Sequence, residues 1–203
     1  MGGREELTSD TARRAAVRLS YATVGWNAVV GGAAVATALV TGSLSLIGFG
    51  GNAIVDSAVS VLLVWRFRTP HDARATQIER VALHVAGVAF LVVALYLVVR
   101  GSLALADSRH ASFSIFGVVE AAASMLVLPY LAVAKYRVAD RLGSRALRAD
   151  SLLTTAGVAL ASVTLGGLLL QHALGWWWAD PAAALVIAAF LSGEGRRTLQ
   201  RDA

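Results

Sequence analysis

Long apolar runs alternate with short polar gaps along the whole chain. The runs cover residues 20–41, 46–65, 81–99, 113–134, 149–171 and 177–192. Each holds roughly 16 to 23 residues, close to the ~20 that an α-helix needs to cross ~30 Å of hydrocarbon. The pattern predicts an all-α integral membrane protein of six transmembrane helices. The longest polar stretches, the first ~19 residues and the ~15 after Trp65, are too short for a separate folded domain. The expected organisation is a cytoplasmic arm at 1–19, a six-helix membrane domain at 20–192 and a cytoplasmic tail at 193–203.

Charge adds the orientation. Of 18 Lys and Arg residues, all but Arg100 and Arg109 fall in alternate gaps. The N-terminal arm holds Arg4, Arg13, Arg14 and Arg18, and the second connection Arg66, Arg68, Arg74 and Arg80. The fourth connection holds Lys135, Arg137, Arg141, Arg145 and Arg148, and the tail Arg196, Arg197 and Arg201. Basic residues are retained in the cytoplasm, so both termini are predicted inside, as an even number of crossings requires. A multi-pass protein of the cell membrane follows. Its basic residues sit at helix ends beside anionic headgroups, so membrane lipids rather than nucleic acid are the expected partners of the net charge of +5.

Composition narrows the chemistry. A mean hydropathy of +0.64 and a charged fraction of only 15 % exclude an ordinary water-soluble domain. The chain has no cysteine, which removes disulfides and thiolate ligands and leaves oxygen and nitrogen donors for any metal. The first residues lack the apolar core of a cleaved leader, so the first helix is expected to be retained. No Asp-rich motif at a helix end, Ser/His/Asp set or phosphate-binding loop is present, so an enzyme is not expected.

Local signals refine the helices. Gly25, Gly31 and Gly32 give the first helix small surfaces for close packing in lipid. The short Gly42-Ser43-Leu44-Ser45 link predicts an antiparallel hairpin of the first two helices. Pro129 lies inside the fourth. Trp176, Trp177 and Trp178 belong to an interfacial belt, and Asp180 before Pro181 reads as the N-cap of the sixth helix. Gly42-Ser43-Leu44-Ser45-Leu46 and Gly143-Ser144-Arg145-Ala146-Leu147 share Gly, Ser and Leu at a constant offset. They precede helices that enter from opposite sides, as in the inverted repeats of many secondary transporters.

Ionisable residues inside these runs call for a reason, because Asp at a helix centre costs about 2.5–3.5 kcal/mol even on lenient insertion scales. Asp56 lies roughly 15 Å down the second helix, with Asn52 and Ser60 one turn away on the same face. Such oxygen-bearing pairs make half of a cation site; the alternative is an aspartate hydrogen-bonded to a neighbouring helix for packing. Glu120, with Ser124 one turn deeper, poses the same choice between cation or proton handling and a buried partner. Asp150 opens the fifth helix, where interfacial water, Arg145 or Arg148 would satisfy it. Asn27 reads as an interhelical hydrogen-bonding residue and His84 as interfacial. His71, His110 and His172 fall in connections without metal-ligand spacing.

At these positions the chain resembles the cation diffusion facilitator (cation efflux) family of divalent-metal transporters. The family's second helix follows Gly-Ser-x-x-Leu-x-Ala-Asp, then His or Asp three positions on and Asp four further. Here the segment runs Gly42-Ser43-Leu44-Ser45-Leu46-Ile47-Gly48-Phe49-Gly50-Gly51-Asn52-Ala53-Ile54-Val55-Asp56, which puts Asn52 and Asp56 at the two ligand positions. In the fifth helix Ala146-Leu147-Arg148-Ala149-Asp150 keeps the frame, while Leu153 replaces the liganding His and Gly157 the liganding Asp. Trp178-Ala179-Asp180-Pro181 and the apolar residues after it match the last helix. The whole resembles a divergent, compact bacterial branch.

That resemblance implies helices 1, 2, 4 and 5 around the site, a homodimer, and exchange of metal for protons. Neither the family's C-terminal cytoplasmic metal-binding domain nor its His-rich segment between helices 4 and 5 is expected here. With helix 4 facing helix 2, Glu120 would supply a replacement carboxylate, and Thr154 or Thr155 hydroxyls. The expectation is therefore a divergent, proton-coupled secondary transporter of a divalent metal cation such as Zn²⁺, with no resident cofactor. Asp56, Asn52, Asp150, Glu120 and Thr154 are the candidate metal residues. The alternative is a non-transporting scaffold or regulatory membrane protein that keeps the fold with a degenerate site.

Overall fold

Glycine and serine set the helix boundaries. The computed structural model describes residues 2–68, 73–108 and 111–200. Helix α1 (Gly2–Trp26) continues through one π-helical turn (Asn27–Gly31) into α2 (Gly32–Thr41); then come α3 (Leu44–Arg68), α4 (Ala73–Ala106), α5 (Ile115–Leu142), α6 (Arg145–Leu174) and α7 (Ala179–Gln200). Gly42, Gly143 and Gly175 hold φ of 75°, 59° and 66°, the left-handed geometry that closes a helix and that glycine adopts without a Cβ penalty. After the first two, serine opens the next helix: Ser43 Oγ accepts from Leu46 N and Ser144 Oγ from Leu147 N, both at 3.3 Å. Each such cap is worth about 1 kcal/mol. The Gly-Ser repeat in the sequence is thus one turn used twice, and it launches the two helices that carry the polar cluster described below.

Several helices outrun their apolar stretches. The first is helical from Gly2, and its buried positions Ala12, Ala16, Ser20, Thr23, Asn27, Gly31, Ala34 and Ala38 form one stripe along the bundle. Near its start Ala16 packs with Leu63, Val138, Ala139 and Leu147. Helix α5 runs on to Leu142, about two turns past the last apolar residue of its run. Lys135 and Arg137, read from sequence as part of a connection, are therefore helical.

Helix α3 sits centrally against α1, α2, α4, α6 and α7, while α4 pairs with α7 and α5 with α6 along their lengths. The α4–α7 contact depends on missing side chains: a Cβ on Gly195 would stand 2.9 Å from the Gly87 carbonyl oxygen, so backbone meets backbone there. The polarity of the bundle is inverted relative to a water-soluble protein. Val40, Leu126 and Tyr130 are 87 %, 79 % and 74 % exposed, whereas Lys135 and Asp150 are 0 % exposed. Only a hydrocarbon surround makes that distribution favourable.

Among the described residues five helical segments are long and apolar enough to cross a bilayer: Thr11–Thr41, Leu44–Trp65, Gly87–Ala106, Ile115–Leu142 and Ala146–Leu174. The sixth apolar run becomes α7, which has 22 residues but is not among the five; Glu194, Arg196 and Arg197 lie in its last turns. The protein is a multi-pass membrane protein of helices in contact with lipid.

Candidate functional site

A wholly buried polar cluster lies where α1, α3, α5 and α6 meet, the four helices to which the family resemblance pointed. Its centre is Asp56 on α3, 2 % exposed, with Asn52 and Ser60 one turn to either side and also buried. The π-helical turn begins at Asn27, whose Nδ2 donates to Asp56 Oδ2 at 2.9 Å. An inserted residue of this kind locally redirects a helix face and recurs at functional positions. From α6 the Thr154 hydroxyl reaches both carboxylate oxygens, Oδ1 at 3.3 Å and Oδ2 at 3.4 Å. That hydroxyl also lies 3.1 Å from the Asp150 carbonyl oxygen.

The residue that sequence reading missed is Lys135. Its ammonium is fully buried and pairs with Asp150 Oδ2 at 2.7 Å. It also donates to Thr154 Oγ1 at 3.0 Å and Ser60 Oγ at 3.2 Å. An ammonium has three N–H donors, and all three are met. Ser60 Oγ in turn donates to Asp150 Oδ1 at 3.0 Å, so Asp150 is held on both oxygens. Asp56 and Lys135 are joined through the Thr154 hydroxyl. Two carboxylates and one ammonium leave the cluster with one negative charge when all three are ionised.

Several expectations are corrected by these contacts. Asp150 does not rest on interfacial water or on Arg148; it is fully buried with Lys135 and Ser60, because α6 starts at Arg145 and carries Asp150 into the bundle. Arg148 turns to Asp140. Glu120 does not join Asp56: its Oε1 accepts from Thr37 Oγ1 at 3.2 Å and its Oε2 has no partner. Thr37 stands roughly 15 Å along the first helix from Asn27, at 1.5 Å per residue, so the Glu120 pair belongs to another level of the membrane. Thr155 bonds its own helix at Ser151 O.

Asp180 is structural as expected, but it serves a different helix. It lies within the first turn of α7, and its carboxylate accepts from Ser43 Oγ at 2.7 Å and Leu44 N at 2.8 Å, closing the N-terminus of α3. His84 is exposed, and His172 stacks on Phe113 with ring centroids 3.9 Å apart. His71 and His110 lie outside the described residues.

The family's metal chemistry has only partial support in these side chains. Among the described residues no three of His, Cys, Asp and Glu converge as a metal-holding group. Leu153 is buried in the apolar core. At Gly157 a Cβ would stand 3.2 Å from Asn52 Nδ2 and 3.2 Å from Leu128 Cδ1, so the Asn52 amide occupies the space into which a fifth-helix carboxylate would project. Asn52 Oδ1 is buried without a hydrogen-bond partner. What the cluster offers is one carboxylate of residual charge with amide and hydroxyl oxygens around it, a hard-donor environment.

The family model for the cation efflux transmembrane domain matches residues 20–201, nearly the whole chain and all the helices that build the cluster. The chain therefore belongs to the cation efflux family, whose members are membrane transporters and not enzymes.

Proposed function

We propose that the protein is a secondary transporter that moves a cation through the bundle by way of Asp56 and exchanges it for protons. The observation that carries this reading is a carboxylate at the meeting point of α1, α3 and α6, buried yet left with uncompensated charge once Lys135 is paired to Asp150. Buried charge of this kind in a membrane is expensive, and a cation or proton is what relieves it. Asp56 anchors the ion, Asn52 and Thr154 supply neutral oxygens, and the Asp150–Lys135 pair borders the site. A divalent metal has weaker support than the family pattern suggests, because Asn52, Leu153 and Gly157 stand at three of the four ligand positions. Glu120 takes no part in this scheme.

The distribution of basic residues supports α7 as a sixth crossing with both termini cytoplasmic, and the family's habit supports a homodimer. Asp56→Ala is expected to abolish cation-dependent proton flux in proteoliposomes; undiminished flux would remove Asp56 from the pathway. A second reading, a scaffold or regulatory protein with a degenerate site, is favoured by the closed Lys135–Asp150 pair and by Leu153 in the core. Purified protein that takes up no cation in a binding assay and drives no proton flux would support it.

A further inference from the structure

We propose that Lys135 is a tethered counter-cation that fixes the charge of the cargo, so that the site takes one unit of positive charge, a monovalent metal cation of the sodium class, in place of a divalent metal. This rests on the transport reading above. Lys135 Nζ sits 2.7 Å from Asp150 Oδ2 with both side chains wholly buried, and its two other N–H groups are spent on Ser60 and Thr154. The ammonium is thus held from two helices and does not swing into water. In its charged form it offsets the Asp150 carboxylate beside it.

Charge arithmetic then decides the cargo. With Asp56, Asp150 and Lys135 all ionised, one positive charge brings the cluster to neutrality. A divalent ion on Asp56 would leave a net positive charge, since Asp150 is already paired with Lys135 and Glu120 is engaged at Thr37 on another level. Burying such an uncompensated charge is strongly unfavourable. The donor chemistry points the same way. The groups around Asp56 are an amide, hydroxyls and a carboxylate, with no imidazole or thiolate among the described residues there, and hard oxygen donors suit hard cations. Asn52 Oδ1, buried and unpartnered one turn from Asp56, is the group with unused capacity. Exchange of such an ion for one proton is charge-neutral, so it is indifferent to membrane potential.

The test uses full-length protein in liposomes loaded with a pH-sensitive dye, with Na⁺, Li⁺ or K⁺ gradients compared with Zn²⁺, Mn²⁺ or Co²⁺ gradients at clamped potentials of either sign. The wild type is expected to give saturable proton flux with at least one monovalent ion, unchanged by the potential, and none with the divalents. Lys135→Met returns the site to two negative charges. Its preference is expected to move toward divalents by ~10-fold or more, a usual size for the coupling between two occupants of one protein. In Lys135→Met with Asp150→Asn the preference is expected to move back toward monovalents. Wild-type flux driven by divalents alone overturns the charge assignment and leaves the transport reading standing. Folded wild-type protein silent to every cation removes transport, and this inference with it. If Lys135→Met does not fold, the wild-type selectivity decides by itself.

Discussion

Lys135 and Asp150 can be separated energetically by a double-mutant cycle. Lys135→Met deletes the 2.7 Å ion pair and the bonds to Ser60 and Thr154, leaving Asp150 with a single partner, the Ser60 hydroxyl at 3.0 Å. Removing one member of a buried ion pair costs about 3–5 kcal/mol, most of it the cost of the charge left behind. Asp150→Leu strands the ammonium instead and is expected to cost about the same. The double variant strands nothing. Replacing both members with apolar groups of similar volume is often neutral, so it is expected within about 2 kcal/mol of the wild type. The coupling energy is then roughly 4 kcal/mol or more, at or above the upper end of contacting pairs. Equilibrium unfolding in mixed micelles, followed by the fluorescence of the 5 tryptophans, measures all four proteins. Single variants costing less than about 1 kcal/mol, or a double variant costing the sum of both, would refute the desolvated ion pair as the organising contact.

Two further outcomes separate structural carboxylates from functional ones. Asp180→Ala leaves Ser43 Oγ and the Leu44 amide without their acceptor at a buried helix start, and is expected to cost about 2–4 kcal/mol in the same unfolding assay, more than the ~1 kcal/mol of an ordinary cap. A loss under ~1 kcal/mol would mean that α3 does not depend on this contact. Glu120→Gln keeps an acceptor for Thr37 and lies away from Asp56, so cation-driven flux is expected within about twofold of the wild type, whereas a fall beyond ~10-fold would return Glu120 to the pathway.

The sequence shows the helices well because their causes are local. Apolar runs and the Gly-Ser turns act over a few residues, and each run lies within a helix of the bundle, although several helices extend beyond it. Asp56 stands out for the same reason, being a charged group in apolar surroundings, whereas nothing local separates Thr154 from Thr155. Lys135 does not stand out, because a basic residue just past an apolar run looks like any other helix-end cation. What makes it special is a carboxylate 15 residues away in sequence, brought back by the turn at Gly143. Asp180 shows a similar limit. Its partners are 136 and 137 residues earlier, so its own helix start was the only visible use for it. The Asn27–Asp56 bond likewise depends on a π-helical turn with no sequence signature of its own.

That turn has a consequence for how the first helix tolerates length changes. Its buried stripe, from Ala12 to Ala38, advances by about 3.7 residues per step, slightly more than the 3.6 of a regular α-helix. Over this distance a uniform helix would let the stripe wander by about 80°, and the one surplus residue trims that to about 20°. The wide turn therefore works as a vernier between two half-cylinders, one docked through Ala16 and Ser20, the other through Ala34 and Ala38. Deleting one residue of 28–31 would let this turn close into regular α-helix with both halves still in phase, whereas a deletion outside it would twist one half against the other by about 100° and set the asparagine or the flanking stripe out of register.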